Sequence, residues 1–171
     1  MDEKIEELIE EVEFGTEMYF KLLSERTEEG SDGYNYFMEK DTREKSAKAL
    51  LELMISHIFK LKYRIGTDQI DSHWIDEIYE KRNTIQKKVG WRRKRKATTI
   101  INSLARDLND IYKSSINSYT DEIPDYTFPK LPEISGVVPE ECPWIIEELI
   151  GFVSIEDFDE ILSKLPEMKE K

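Results

Sequence analysis

Apolar residues along this chain recur every three or four positions, the spacing that places side chains on one face of an α-helix. The pattern is clearest from about residue 34 to residue 65, where steps of four and three alternate along one seam. This seam comprises Ala47, Leu51, Met54, Ile58, Leu61 and Ile65. Ile55, Phe59 and Tyr63 lie well away from the seam, so the helix is apolar on more than one side. We therefore expect it to lie centrally in a bundle.

Three further long segments have helical period. They span about 3 to 28, about 72 to 90 and about 92 to 120, with Ser72 as a candidate N-cap and Gly90 as a stop. Glycine is favoured just past a helix because it adopts left-handed backbone without steric cost. The apolar faces of the last two segments comprise Ile75, Ile78, Ile85 and Val89, then Ile100, Ile101, Leu104, Leu108, Ile111, Tyr112, Ile116 and Tyr119.

The carboxyl-terminal third differs in composition. Residues 121–143 hold five of the six prolines, which excludes an ordinary helix and predicts an extended connector. "PWIIEELIG" predicts a short helix that begins at Pro143 and ends at Gly151. Ser154 and Asp157 have the spacing of a capping box for a last helix. The predicted apolar face of that helix is Ile155, Phe158, Ile161, Leu162 and Leu165.

These elements predict an all-α fold, because no segment alternates apolar and polar residues as a strand does. We expect a helical bundle of about four main helices, two short carboxyl-terminal helices and the Pro-rich connector. The chain is predicted to be a single domain over residues 1–171. Its parts would be an acidic amino-terminal helix within 1–33, a core over 34–152 and a carboxyl-terminal helix within 153–171.

Composition favours a folded protein with a densely charged surface, since 39% of the 171 residues are hydrophobic and 36% are charged. The single cysteine, Cys142, cannot form an internal disulfide. No apolar run has the length of a membrane span, and the first residues are acidic where a secretory signal is basic. A soluble, cytoplasmic protein without membrane contact is therefore predicted.

Charge is unevenly distributed along the chain. Residues 1–40 carry 4 basic and 13 acidic side chains, residues 81–96 carry 9 basic and none acidic, and residues 121–171 carry 4 basic and 14 acidic. The basic turn 87–96 is a candidate nucleic-acid or phosphate-binding site. Its residues would be Lys87, Lys88, Trp91, Arg92, Arg93, Lys94, Arg95 and Lys96. Neutralisation by acidic segments of the same chain or of a second copy is the competing interpretation.

A second candidate site is the polar stripe of His57, Lys60 and Arg64 on the central helix. It lies at the edge of the apolar seam and could bind a carboxylate or a phosphate. The alternative is a histidine hydrogen-bonded to a neighbouring helix, flanked by bases that pair with acids.

Metal binding and nucleophilic catalysis have weaker support. His73 and Glu77 are four residues apart and could face one ion, with Asp76 or Glu80 completing the site. However, the sequence has neither an H-E-x-x-H motif nor a pair of cysteines.

Cys142 lies beside a predicted helix start, where the pKa of a thiol can be lowered. More often, however, a cysteine serves as a small buried residue of the core. We expect no cofactor and assign no catalytic residue.

Three stretches in order resemble family 29 of the domains of unknown function: "HIFKLKY" (57–63), "SHWIDEIYEKRNTIQKKV" (72–89) and "VPEECPWIIEELIGF" (138–152). The resemblance covers roughly residues 35–152 and implies a soluble α-helical protein with no established activity. In this sequence Leu61 stands where the first motif usually has Trp.

The function is therefore unknown from the sequence. The best prediction is a non-catalytic interaction or oligomerisation module that binds itself or another protein. Nucleic-acid or phosphate binding through the basic turn is the first alternative. A metal-dependent enzyme that uses His57 or His73 is the second.

Overall fold

The computed structural model describes residues 32–63, 68–91, 99–119 and 133–168. These residues form five helices and no strand, which confirms the all-α prediction. The helices are α1 (Asp32–Tyr63), α2 (Asp68–Val89), α3 (Thr99–Ser118), α4 (Ile146–Gly151) and α5 (Ile155–Ser163). None of these five is long and apolar enough to cross a membrane. The helix predicted over 3–28 lies outside the described residues.

Helix α1 is the centre of the bundle, between α2 and α3. Its seam residues Ala47, Leu51, Met54 and Ile58 are fully buried, and so are Ile55 and Phe59 on other sides. The prediction of a helix with more than one buried side is therefore confirmed. Most globular helices keep one polar face in water, whereas a helix enclosed by neighbours does not need one.

Polar contacts fix the direction of α3 against α1. Ser103 Oγ donates to Glu44, and Lys48 Nζ lies 2.6 Å from Asp107 Oδ2. From the first contact to the second, the residue number rises by four on α1 and by four on α3, so the two helices are parallel. Only residues 64–67 join α1 to α2, a length typical of antiparallel neighbours.

The predicted start of α2 is wrong, because this helix begins at Asp68, not near Ser72. The start of α3 predicted near residue 92 lies outside the described residues and stays a prediction. Asp and Ser are both favoured at helix starts, and here the earlier residue begins the helix. The predicted stop at Gly90 is confirmed, since it has a φ of 69° and donates its N–H to Lys87 O at 3.3 Å.

The described part of the Pro-rich connector, residues 133–143, contains no helix. Helix α4 begins at Ile146, so the predicted start at Pro143 is wrong. Trp144 is buried and its indole N–H donates to Ile161 O at 3.0 Å, which anchors the chain before the helix starts. Glu148 then accepts the N–H of Ile145 at 3.0 Å and stabilises the first turn.

Helix α5 has the predicted capping box. The Asp157 N–H donates to Ser154 Oγ at 3.2 Å, and the Ser154 N–H donates to Asp157 Oδ2 at 3.1 Å. Phe158 and Ile161 are buried as predicted. Ile155 is 68% exposed, so its assignment to the apolar face is wrong. As the first helical residue it lies beyond the region that the bundle covers.

Candidate functional site

His57 lies in the interface between α1 and α2. Its Nε2 is 3.0 Å from Oε2 of Glu77 on α2, and the residue is only 4% exposed. It is more deeply buried than its predicted position at the edge of the seam, because α2 covers that side of α1. A buried imidazole needs a polar partner, and a carboxylate on the neighbouring helix is one.

The same carboxylate gathers two further side chains of α2. His73 Nε2 lies 3.1 Å from Glu77 Oε1, and Lys81 Nζ lies 3.4 Å from Glu77 Oε2. Both lie one helical turn from Glu77, so the α-helix itself brings them together. We call His57, His73, Glu77 and Lys81 the histidine–glutamate cluster. Only His57 in this cluster comes from α1, so its contact with Glu77 connects the two helices.

The two described residues of the predicted anion-binding stripe, His57 and Lys60, are buried. Lys60 is 1% exposed, one turn after the buried His57, while Arg64 lies outside the described residues. His57 already contacts an anion of the chain itself, the carboxylate of Glu77. Binding of an external anion by His57, Lys60 and Arg64 stays a prediction, and such an anion would compete with Glu77.

Metal binding gains no support from the described residues. Within them, no group of three or more His, Cys, Asp or Glu side chains could hold a metal ion. His57 and His73 both contact Glu77, and each of its oxygens already accepts from an imidazole.

Cys142 is partly buried between the connector and α4. Burial raises the pKa of its thiol to about 11, and Sγ lies 3.6 Å from Trp144 O. A thiol with a raised pKa is a poor nucleophile near neutral pH, since the thiolate is the reactive form. The polar contact of the residue through its N–H, to Asn109 Oδ1 at 2.9 Å, attaches the connector to α3.

The basic turn begins where α2 meets the end of α4. Lys87 is exposed and Lys88 is half-buried, while Arg92, Arg93, Lys94, Arg95 and Lys96 lie outside the described residues. Trp91 packs on the backbone of Gly151: a Cβ added there would lie 3.0 Å from its Cζ2. Because one region of the indole is covered by α4, Trp91 is a packing residue more than an open stacking surface.

Two hydrogen bonds from α2 secure the same end of α4. Gln86 Nε2 donates to Ile150 O at 2.5 Å, and the Arg82 guanidinium donates to Phe152 O. Carbonyls at a helix end have no partner within the helix, so these side chains supply one. The guanidinium of Arg82 also lies 4.6 Å from the ring centre of Phe152. The basic end of α2 and the end of α4 therefore form one packed unit.

A groove of about 340 Å³ opens between α4 and α5 next to this unit. Its lining includes four carboxylates and one ammonium group, with apolar atoms between them. We call it the acidic groove; it is lined by Glu147, Glu148, Gly151, Phe152, Asp157, Glu160, Ile161 and Lys164. Sequence reasoning missed it, because it depends on the packing of two short helices. The only signal was the cluster of acids in "EEL" and "EDFDE".

The carboxylates of the groove differ in what they already bind. Glu148 Oε1 lies 2.5 Å from Lys164 Nζ. Burial alone would raise the pKa of Glu148, but this contact and the hydrogen bond from the Ile145 N–H outweigh burial and lower the pKa. The N–H groups of Val153 and Ser154 lower the pKa of Asp157. Glu147 and Glu160 are both exposed. These two are the lining acids with the freest access to a partner from solvent.

Large apolar side chains are exposed around the same two helices. Ile145 is 60% exposed, Val153 80% and Ile155 68%. Ile145 precedes α4, whereas Val153 and Ile155 lie at the junction of α4 and α5. Single exposed apolar residues are common on proteins, but three within eleven positions, each within two residues of one that lines the groove, are typical of a contact surface.

One family model matches the chain. Its description is "Domain of unknown function DUF29", and the match covers residues 38–152, about two thirds of the sequence. The matched part runs from within α1 to the residue after α4, so it contains both the histidine–glutamate cluster and the basic turn. No curated protein and no solved structure matches the chain.

Proposed function

Since the chain belongs to the family described as Domain of unknown function DUF29, a description that names no activity, we propose a role from the surface of the molecule. The protein is a helical interaction module, and it associates with itself through the surface around α4 and α5. The observation that carries this proposal is the exposure of Ile145, Val153 and Ile155, each within two residues of one that lines the acidic groove. A complex is stabilised when it removes apolar area of this kind from water.

The charge pattern supports the same proposal. Residues 81–96 have nine basic and no acidic side chains, whereas residues 121–171 have ten more acidic than basic ones. Opposite charges on separate surfaces favour the association of two copies and orient them on approach.

Sedimentation velocity over a range of concentrations tests the proposal. In 50 mM salt we expect a species with twice the 20.3 kDa chain mass at micromolar concentration. In 1 M salt we expect the dissociation constant to rise, because salt screens charges at the surface. A chain that stays monomeric up to hundreds of micromolar would overturn self-association.

Nucleic-acid binding through the basic turn is the second candidate. Its support is the exposure of Lys87 beside a run of five consecutive bases, and the covered indole of Trp91 counts against base stacking. This candidate predicts a gel shift with duplex or single-stranded DNA at 50 mM salt that disappears as salt rises. No shift at micromolar protein would exclude it.

A further inference from the structure

Helix α5 packs on a seat that the family-matched part of the chain provides. The match ends at Phe152, and α5 begins at Ile155. Phe158 of α5 contacts Phe152, with the two ring centres 5.4 Å apart. The buried Trp144 donates its indole N–H to Ile161 O at 3.0 Å. Phe158 and Ile161 are both buried, so residues of the matched part hold the apolar face of α5.

Polar contacts hold the α5 segment, residues 153–168, to the same part of the chain. Lys164 Nζ lies 2.5 Å from Glu148 Oε1. The Tyr63 hydroxyl at the end of α1 donates to Pro166 O at 3.0 Å. Each of these contacts joins one group of the α5 segment to one group outside it. We call the receiving residues the α5 seat: Tyr63, Trp144, Glu148 and Phe152.

The chain passes from the seat to the α5 segment at one peptide link. Phe152 O accepts from the Arg82 guanidinium, which holds Phe152 against α2. The Val153 N–H donates to Asp157 Oδ2 at 2.9 Å, so Val153 belongs to the cap of α5. Phe152 and Ser154 have extended backbone, with ψ of 142° and 169°. The link between Phe152 and Val153 is therefore a short hinge on which the α5 segment can turn as a unit.

Apolar side chains are exposed on the α5 side of this hinge. Val153 is 80% exposed and Ile155 is 68% exposed, although α5 itself is packed on the seat. An element joined by a short hinge can be exchanged between two copies at low cost, because it regains in the partner the contacts that it had within one chain. An exchanged dimer also brings the two hinges together, so burial of apolar hinge side chains favours it.

We propose that two copies of the chain exchange their α5 segments, so that the α5 segment of each occupies the α5 seat of the other. This inference rests on the proposed self-association and names the element that forms it. In the dimer, Val153 and Ile155 of the two hinges meet at the twofold axis and leave water. The single chain is favoured at low concentration, because its own α5 segment is always close to the seat.

Cross-linking between chains tests the exchange. Both chains carry Cys142→Ser; one also carries Glu148→Cys and the other Lys164→Cys. The exchanged dimer places position 148 of one chain beside position 164 of the other, so a bismaleimide should give a covalent dimer on a denaturing gel. The length of this linker is chosen so that the same two cysteines, placed together in one chain, cross-link within the monomer. Circular dichroism confirms that the helices of each variant are intact.

The matched control pairs Lys164→Cys with Lys45→Cys in place of Glu148→Cys. The side chain of Lys45 is 75% exposed, and it lies about 27 Å along α1 from Tyr63 of the seat at 1.5 Å per residue. We expect no covalent dimer from this pair.

A hinge variant measures the apolar contribution. Val153→Ser with Ile155→Ser should raise the dimer dissociation constant at least about tenfold, because four apolar side chains of the dimer become polar. Met168→Ser is the control, since Met168 is also exposed but lies outside the hinge, and it should dimerise like the unchanged chain. Sedimentation velocity measures both, and an unchanged constant for the hinge variant would overturn the contact between hinges and the proposal with it.

The remaining outcomes separate the exchange from self-association. If the unchanged chain dimerises and the mixed chains give no covalent dimer, the copies associate without exchange, and the proposal is wrong while self-association stands. A monomeric unchanged chain overturns self-association itself.

Discussion

Helix α1 is buried on two sides by different chemistry. Toward α3 and the segment before α4 it packs aromatic rings, with the ring centre of Phe59 lying 5.7 Å from that of Tyr112 and 6.3 Å from that of Trp144. Toward α2 it presents His57, which contacts Glu77. We call the ring side the aromatic cluster; it comprises Phe59, Tyr112, Tyr119 and Trp144. Only two positions along one helix separate Phe59 from His57.

The difference shows that the stability of a helix interface and the choice of its packing geometry can depend on different residues. Ring packing contributes in proportion to the apolar area removed from water and depends weakly on any one partner. The His57–Glu77 contact depends on both of its members, since removal of Glu77 takes away the carboxylate that the buried imidazole contacts. The aromatic side is therefore expected to dominate stability, and the polar side to fix how α2 sits on α1.

The largest effect is expected from Phe59→Ala. The residue is fully buried and contacts three rings, so the truncation leaves a cavity and should lower the free energy of unfolding by about 3 to 5 kcal/mol. Urea unfolding followed by circular dichroism measures it. Phe59→Leu is the control and should cost clearly less, because it keeps most of the volume. A loss below about 1 kcal/mol for Phe59→Ala would contradict the importance of the aromatic cluster.

On the polar side, Glu77→Leu should lower the free energy of unfolding by about 1 to 3 kcal/mol. The reason is that it leaves His57 buried at 4% exposure without its carboxylate. The variant with both His57→Leu and Glu77→Leu should lose less than the sum of the two single losses. Simple additivity in this double-mutant cycle would show that the two side chains do not interact.

Sequence pattern was sufficient for the aromatic side and insufficient for the polar one. Helical spacing placed Phe59 and Tyr112 on buried faces, because apolar residues have few places other than a core. The partner of His57 could not be read in the same way. Twenty positions separate His57 from Glu77, and neither spacing nor composition says which of many carboxylates faces a given imidazole. The acidic groove was missed for the same reason.

The rim of the α1–α3 interface gives a smaller, pH-dependent effect. Hydrogen bonds from Arg106 and from Lys48 hold the pKa of Asp107 well below its usual value. A carboxylate whose pKa is lowered by folding stabilises the protein above its unfolded pKa, here 3.8, and this stabilisation is lost as the pH falls further. Asp107→Asn should therefore cost about 0.5 to 1 kcal/mol at pH 7. Thermal unfolding at pH 7 and at pH 3 should show a smaller difference between the two proteins at pH 3.

The smallest effect is expected from His73→Gln. This variant tests whether contact with Glu77 or burial between the helices determines how much a histidine contributes to stability. His73 lies 3.1 Å from the same carboxylate as His57, but its side chain is 69% exposed against 5% for His57. Water can replace the lost hydrogen bond at an exposed site, so the free energy of unfolding should change by no more than about 0.5 kcal/mol. His57→Gln, measured by the same urea titration, should cost more, because a different polar shape must then fit a closed interface. Equal losses at the two positions would mean that contact with Glu77, and not burial between α1 and α2, sets the contribution of these histidines.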